Sequence, residues 1–204
     1  ISDHRSSQPT TDELRKVAAA ARVGGMLAGK GGVVSVHVGA GERILQPLYQ
    51  AVSGTELRVK QFYPTHMNRN RRVFEAGIEF TKKGGVIDFT TSTTAYDLRH
   101  GEVAAAAALA EALYLGVSPM QLTLSSDGNA SLPLYNEDGE LQGLQVGQVQ
   151  SLYQSFREAV VQHQVPLANA LTSVTAAPAA ILGLKQKGQI SAGLDADVLL
   201  IRRE

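Results

Sequence analysis

Apolar and polar positions along this chain change period in regular blocks. From Thr10 the period is helical: Leu14, Val17, Ala18, Ala21, Met26 and Leu27 share one stripe, which predicts a helix from Thr10 to near Gly29. Thr10 and Glu13 have the spacing of a capping box. Gly31 and Gly32 then lead into Val33-Val34-Ser35-Val36-His37-Val38, a nearly continuous apolar run of the kind a parallel strand shows when buried on both faces. The succession repeats. A helix is predicted over 44–52, a strand over 59–63 running into Pro64-Thr65-His66, and a helix over 71–82 with Val73, Phe74, Gly77, Ile78 and Phe80 facing inward. A strand over 86–91, a Ser/Thr-rich loop at 92–94, an Ala-rich helix over 102–115 and a strand over 121–126 follow.

Strict alternation of strands and helices predicts an α/β protein with a parallel sheet and right-handed crossovers. An open doubly wound sheet and a closed barrel both fit this pattern. No Gly-x-Gly-x-x-Gly opens a helix after a strand, so the dinucleotide fingerprint is missing. Past Asn129 the style changes. A polar loop is expected over 131–142, helices over 146–162 and 166–176, a break at Pro178, and a last helix over 179–184. The tail, 188–201, reads as a turn and a strand, the start of a small β element. The expected division is a main domain over 1–184 and the beginning of a small β domain over 185–204.

Composition narrows the partners. The 204 residues suffice for one ordinary domain with a real core. Lys plus Arg and Asp plus Glu both number 19, so there is no electrostatic case for nucleic acid or an acidic membrane surface. The chain has no cysteine, which excludes thiolate metal sites and leaves His/Asp sites open. No window approaches the roughly 18 consecutive apolar residues of a membrane span, and no signal peptide is visible. The expectation is a soluble cytoplasmic protein with neither nucleic acid nor membrane as partner. The chain opens on Ile1 and closes on a strand-like run into Glu204, which is the expectation for a piece of a longer protein.

Chemistry concentrates at the strand ends. His37 ends the first predicted strand, His66 follows the second, and Asp127 follows the fourth, where Gly128 and Asn129 turn the chain sharply. In parallel strands all three side chains emerge at one face, the place where (β/α)₈ barrels carry their catalytic residues. Any one of them alone has a bland explanation, a structural histidine or an Asp-Gly turn. Together, two imidazoles and a carboxylate make a suitable ligand set for Zn²⁺. Arg69, three residues past His66, sits near the same mouth, and its guanidinium suits a carboxylate. It belongs to a run of arginines with Arg71 and Arg72 at a helix start, where positive charge is unfavourable, a mismatch that favours an anionic ligand. Ser131 is placed to donate one hydrogen bond to a substrate. His4 lies in an N-terminal segment with no predicted element, and His100 and His163 read as solvated.

Several motifs together carry a resemblance. The terminal Gly-x-Ile-x-x-Gly-x-Asp-Ala-Asp, from Gly188 to Asp197, is similar to one widespread in the amidohydrolase superfamily. Ser2-Asp3-His4-Arg5-Ser6, Arg22-Val23-Gly24-Gly25, Leu45-Gln46-Pro47, Pro64-Thr65-His66-Met67-Asn68-Arg69-Asn70, Lys83-Gly84-Gly85-Val86-Ile87-Asp88 and Leu124-Ser125-Ser126-Asp127-Gly128-Asn129 resemble the isoaspartyl (β-aspartyl) dipeptidases across the whole chain. The resemblance implies a (β/α)₈ barrel of the TIM type with a small β-sandwich domain built from both chain ends. It implies two zinc ions bridged by hydroxide and a carboxylated lysine, homo-oligomeric assembly, and small acidic dipeptides as substrates. By position it makes His37 and His66 ligands of one zinc. Asp127 becomes a ligand of the other zinc and the proton shuttle, Arg5 and Arg69 hold substrate carboxylates, and Ser131 orients the substrate.

Two departures qualify it. The family's His-x-His pair and its bridging lysine have no counterpart here, and neither Lys30 nor Lys60 takes the lysine's place. The chain therefore resembles the second half of the barrel, and as 204 residues alone it is expected to hold an incomplete metal site with little or no activity. The competing expectations are another amidohydrolase, of the dihydroorotase or hydantoinase type, and a metal-free barrel scaffold with a binding or assembly role.

Overall fold

A computed structural model of the chain describes residues 1–2, 8–136 and 138–201. Helix α1 (Thr11–Ala28) begins on the capping box, with Thr10 accepting from the Glu13 amide, and ends on Gly29 in the left-handed region at φ 66°. Only part of its apolar stripe is used. Leu14 and Ala18 are buried, whereas Met26 and Leu27 are 74% and 85% exposed. Strand β1 (Val34–His37), α2 (Gln46–Val52) and β2 (Phe62–Thr65) follow, then α3 (Arg71–Lys82) and β3 (Ile87–Thr90). The short α4 (Ala95–Arg99), between the expected loop at 92–94 and the expected Ala-rich helix, comes from a second capping box, Thr94 with Asp97. Helix α5 (Ala105–Tyr114) and β4 (Leu122–Ser125) complete the alternating part. The strands start later than the apolar runs imply, because 3₁₀ turns at Val59–Gln61 and Pro119–Gln121 take up the residues ahead of β2 and β4.

Strands β1 and β2 pair in parallel with His37 opposite Thr65, and β3 and β4 pair in parallel with Thr90 opposite Ser125. Between the pairs, the Met67 amide donates to the Asp88 carbonyl at 3.1 Å. The Thr65 hydroxyl meets Asp88, and Asn68 meets Thr90, so β2 and β3 advance together. All four strands thus end at one face. Among the described residues they form two two-stranded sheets side by side and do not close into a barrel. Phe62, Ile87 and Leu122 are buried from the strands, Met67 from the turn after β2, and Phe74, Phe80 and Leu109 from the helices. Phe74 stacks on Phe89 with ring centroids 5.9 Å apart, fixing α3 to β3.

The segment after β4 is not the polar loop expected. It is an antiparallel hairpin, β5 (Ser131–Tyr135) and β6 (Leu141–Val146). Its turn is closed by Asn136, whose side-chain oxygen accepts from the amides of Asp138 and Glu140 at 3.1 and 2.8 Å. Tyr135 stacks on Tyr96 of α4, 4.9 Å between centroids, and Tyr96 stacks on His100. Helix α6 (Ser151–Val161) therefore starts later than expected, after the hairpin, and α7 (Leu167–Val174) follows. Helix α8 (Ala176–Leu182) takes Pro178 into its first turn, where a missing amide is tolerated. The break expected at that proline falls at Thr175 instead. The expected tail strand has no ladder partner among the described residues, and Leu200 is 95% exposed. None of the described helices is long and apolar enough to cross a membrane.

Candidate metal centre

The ends of β1, β2 and β4 converge. His37, His66 and Asp127 each offer one ligand atom, and these atoms lie within 4.8 Å of one another. His66 Nε2 and His37 Nδ1 are 2.9 Å apart. His66 is buried, Asp127 half-buried and His37 exposed. Two imidazole nitrogens and a carboxylate oxygen at this spacing fit a divalent cation of zinc type, with positions left over for other ligands.

Backbone conformation aims two of the three. His66 has φ 63° and Asp127 φ 50°. Residues other than glycine pay about 1–2 kcal/mol each for that region, and strain held by its surroundings collects at functional sites. At His66 the surroundings are a tight turn, in which the Arg69 amide donates to the His66 carbonyl at 3.1 Å, and then the α3 cap at Asn70. At Asp127 the Ala130 amide returns to the Asp127 carbonyl at 3.1 Å, the Asn129 amide donates to the Gly147 carbonyl at 2.9 Å, and the Gly147 amide donates to the Ala130 carbonyl at 2.9 Å. A Cβ at Gly147, the residue after β6, would lie 2.5 Å from the Asp127 carbonyl oxygen, so only glycine lets the chain pass this close.

The three residues open onto a cavity of about 290 Å³ that Arg69, Glu102 and Ser131 also line. Arg69 is anchored through Nε to the Val38 carbonyl at 3.2 Å. Its two Nη groups make no hydrogen bond among the described residues, which leaves the planar fork available in the cavity. Arg71, two residues on, behaves differently. Arg71 is held by Glu75 at 3.0 Å and by both oxygens of Glu111 at 2.5 and 2.7 Å. The charge of Arg71 is thus met by carboxylates of the chain itself. Arg5 and His4 lie outside the described residues. His100 and His163 are exposed, as expected, and neither lines the cavity.

Two groups escaped sequence reasoning. Glu102, just ahead of α5, faces the cavity and accepts from the Thr93 hydroxyl at 2.6 Å. Burial pushes its carboxyl up from the ordinary value. A lone glutamate at a helix start gives no hint of this. What holds it is Asn68, which donates to the Val103 carbonyl at 2.8 Å while its own carbonyl accepts from the Val103 amide at 2.8 Å. The second is Asp88, fully buried in β3. Burial pushes its carboxyl up to about 6, against the hydrogen bonds that hydroxyls donate to it. An acid inside an apolar strand was the available signal.

No family model matches the chain. Among solved structures it is similar to a β-aspartyl dipeptidase from the thermophilic, keratin-degrading Fervidobacterium islandicum AW-1, in complex with β-Asp-Leu dipeptide. That match has 41% identity and a TM-score of 0.83, and covers 96% of this chain and 50% of that one. A second structure of the β-aspartyl dipeptidase from the same organism matches at 39% identity and TM-score 0.79, over 96% of this chain and 48% of that one. The chain spans about half the length of the structures it matches. Across nearly all of its own length, it resembles one half of a β-aspartyl dipeptidase.

Proposed function

We propose that this chain is the second half of a (β/α)₈ barrel in a zinc-dependent dipeptidase that hydrolyses β-aspartyl (isoaspartyl) dipeptides. The observation that carries the reading is the convergence of His37, His66 and Asp127 beside the open fork of Arg69, in a chain 41% identical to a β-aspartyl dipeptidase. His37 and His66 would hold one zinc, and Asp127 would bind the second. Bound zinc supplies a Lewis acid for the scissile carbonyl and makes water acidic enough to react near neutral pH. The Asp127 carboxylate takes the proton released as water adds to the amide carbon, then delivers it to the departing amine nitrogen. Arg69 and Arg5 pair with the carboxylates of the acidic dipeptide, and Ser131 donates a hydrogen bond that orients it. The first-strand histidines and the bridging carboxylated lysine belong to the half this chain does not span. The 204 residues alone therefore hold an incomplete centre with little or no activity. The same reading makes the whole protein a cytoplasmic homo-oligomer, with the tail from 185 entering a small β domain.

The test is hydrolysis of β-Asp-Leu by the full-length protein that carries this chain, with dihydroorotate and hydantoin as comparison substrates. Chelation of zinc should abolish turnover of β-Asp-Leu, and re-addition should restore it. Arg69→Ala should lower kcat/KM on the order of 100-fold, the scale for a charged hydrogen bond worth a few kcal/mol, while leaving zinc content unchanged. Equal kinetics in Arg69→Ala would remove that role, and preference for a cyclic amide would replace the substrate class.

A further inference from the structure

Beneath the converging ligands lies a carboxylate that the proposed chemistry leaves unused. Asp88 sits at the middle of β3, fully buried, with no cationic partner among the described residues. Four hydroxyls surround it instead. Thr65 donates to Oδ2 at 2.6 Å and Ser125 to the same oxygen at 2.5 Å. Thr123 donates to Oδ1 at 2.6 Å, and Tyr63 reaches that oxygen at 3.5 Å and also meets Thr123. Two of these donors come from β2 and two from β4, so one side chain of β3 ties its neighbours together from both sides.

The placement of the two Oδ2 donors matters most. Thr65 immediately precedes His66, and Ser125 stands two residues before Asp127. Both ligands occupy the left-handed region, at φ 63° and 50°. The last regular residue of each strand is therefore pinned to one shared oxygen just before the chain twists into its strained turn. An ionised carboxylate can accept from all four hydroxyls at once, whereas an amide in its place turns one of its two heads into a donor.

We propose that Asp88 is a positioning residue for the candidate metal centre, fixing the separation of His66 and Asp127 through Thr65 and Ser125. This rests on the metal-centre reading given above. Hydrogen-bond partners that orient metal ligands typically change affinity by about 10–100-fold when removed, and Asp88 acts one residue further back, through the backbone of two ligands together.

The experiment uses the full-length protein carrying this chain, freed of metal and titrated with Co²⁺ alone. Affinity is read by competition with a chelator, geometry by the visible absorption of bound cobalt, and folding by the melting temperature of the metal-free protein. Asp88→Asn should bind Co²⁺ about 10–100-fold more weakly and shift the cobalt absorption. Ser125→Ala and Thr65→Val should move both in the same direction by less, and they carry the test if Asp88→Asn does not fold. Phe89→Leu, on the opposite face of the same strand, is the control: it should lower the melting temperature and leave the cobalt spectrum unchanged. Wild-type affinity and spectrum in Asp88→Asn would overturn the inference while leaving the metal centre standing. A spectral shift as large in Phe89→Leu would also overturn it, because general loosening of β3 would then suffice. Failure of the wild type to bind Co²⁺ would overturn the metal centre itself and the inference with it.

Discussion

At the scale of single residues, Asp88 has a measurable signature apart from any metal. Its carboxyl is pushed up to about 6 from an ordinary value of 3.8, since burial outweighs the donated hydroxyl hydrogen bonds. The folded state then holds this proton more tightly than the unfolded chain. Its contribution to stability is fully present below the unfolded value and is lost as pH rises through about 6. A shift of this size amounts to about 3 kcal/mol. The unfolding free energy of the wild type relative to Asp88→Asn should therefore fall by about 3 kcal/mol between pH 3.5 and pH 7; a flat difference across that range would show that the site is wet. The same residue shows what a sequence hides. His37, His66 and Asp127 stand out because they are ligand-type residues at strand ends. Asp88, Thr65 and Ser125 are ordinary strand residues until the register brings their oxygens together. Glu102 is equally silent, because its place at the cavity is set by Asn68, thirty-four positions earlier in the chain.

At the scale of elements, legibility followed burial. The pattern predicts α3 over 71–82, and it spans Arg71–Lys82, because its apolar side lies against a closed core and its cap, Asn70, precedes it. Where the β5–β6 hairpin stands, the pattern predicts a loop over 131–142. Leu134, Leu141, Leu144 and Val146 are all exposed, so no face is buried to impose a two-residue period. What holds the hairpin in place is its turn, the Tyr96–Tyr135 stack and the approach of Gly147 to Asp127. That approach makes a prediction at this scale. Gly147→Ala must push β6 or Asp127 aside, since the added carbon meets a backbone oxygen at 2.5 Å. Displacement of a reacting group by about 1 Å costs on the order of 100-fold in rate. The variant should lose that much kcat on β-Asp-Leu, whereas Gly143→Ala, within β6 and facing open space, should behave as the wild type.

At the scale of the whole molecule, the parallel order of four strands was legible from the alternation of patterns, but closure was not. Pattern shows that strands run the same way; it says nothing about how many of them complete a circle. Native mass spectrometry of the protein purified from its source measures this. A subunit mass well above the 21.7 kDa of this chain, with two zinc ions bound, is the expected result. A subunit of 21.7 kDa without zinc would mean that the three ligands do not assemble a working centre.

The tail has a further consequence, one for handling the chain in a test tube. Val198-Leu199-Leu200-Ile201 is a short apolar run of strong β-formers whose backbone has no ladder partner among the described residues. Such an edge is an invitation to another copy of itself. The carboxylates that lead into it, Asp195 and Asp197, are both occupied by Lys187, the first at 2.9 Å. Their repulsion is thereby muted. Expressed by itself, this chain carries its own seed for precipitation, and its yield would be governed by colloidal behaviour at one terminus, however sound the core around Phe74 and Phe89.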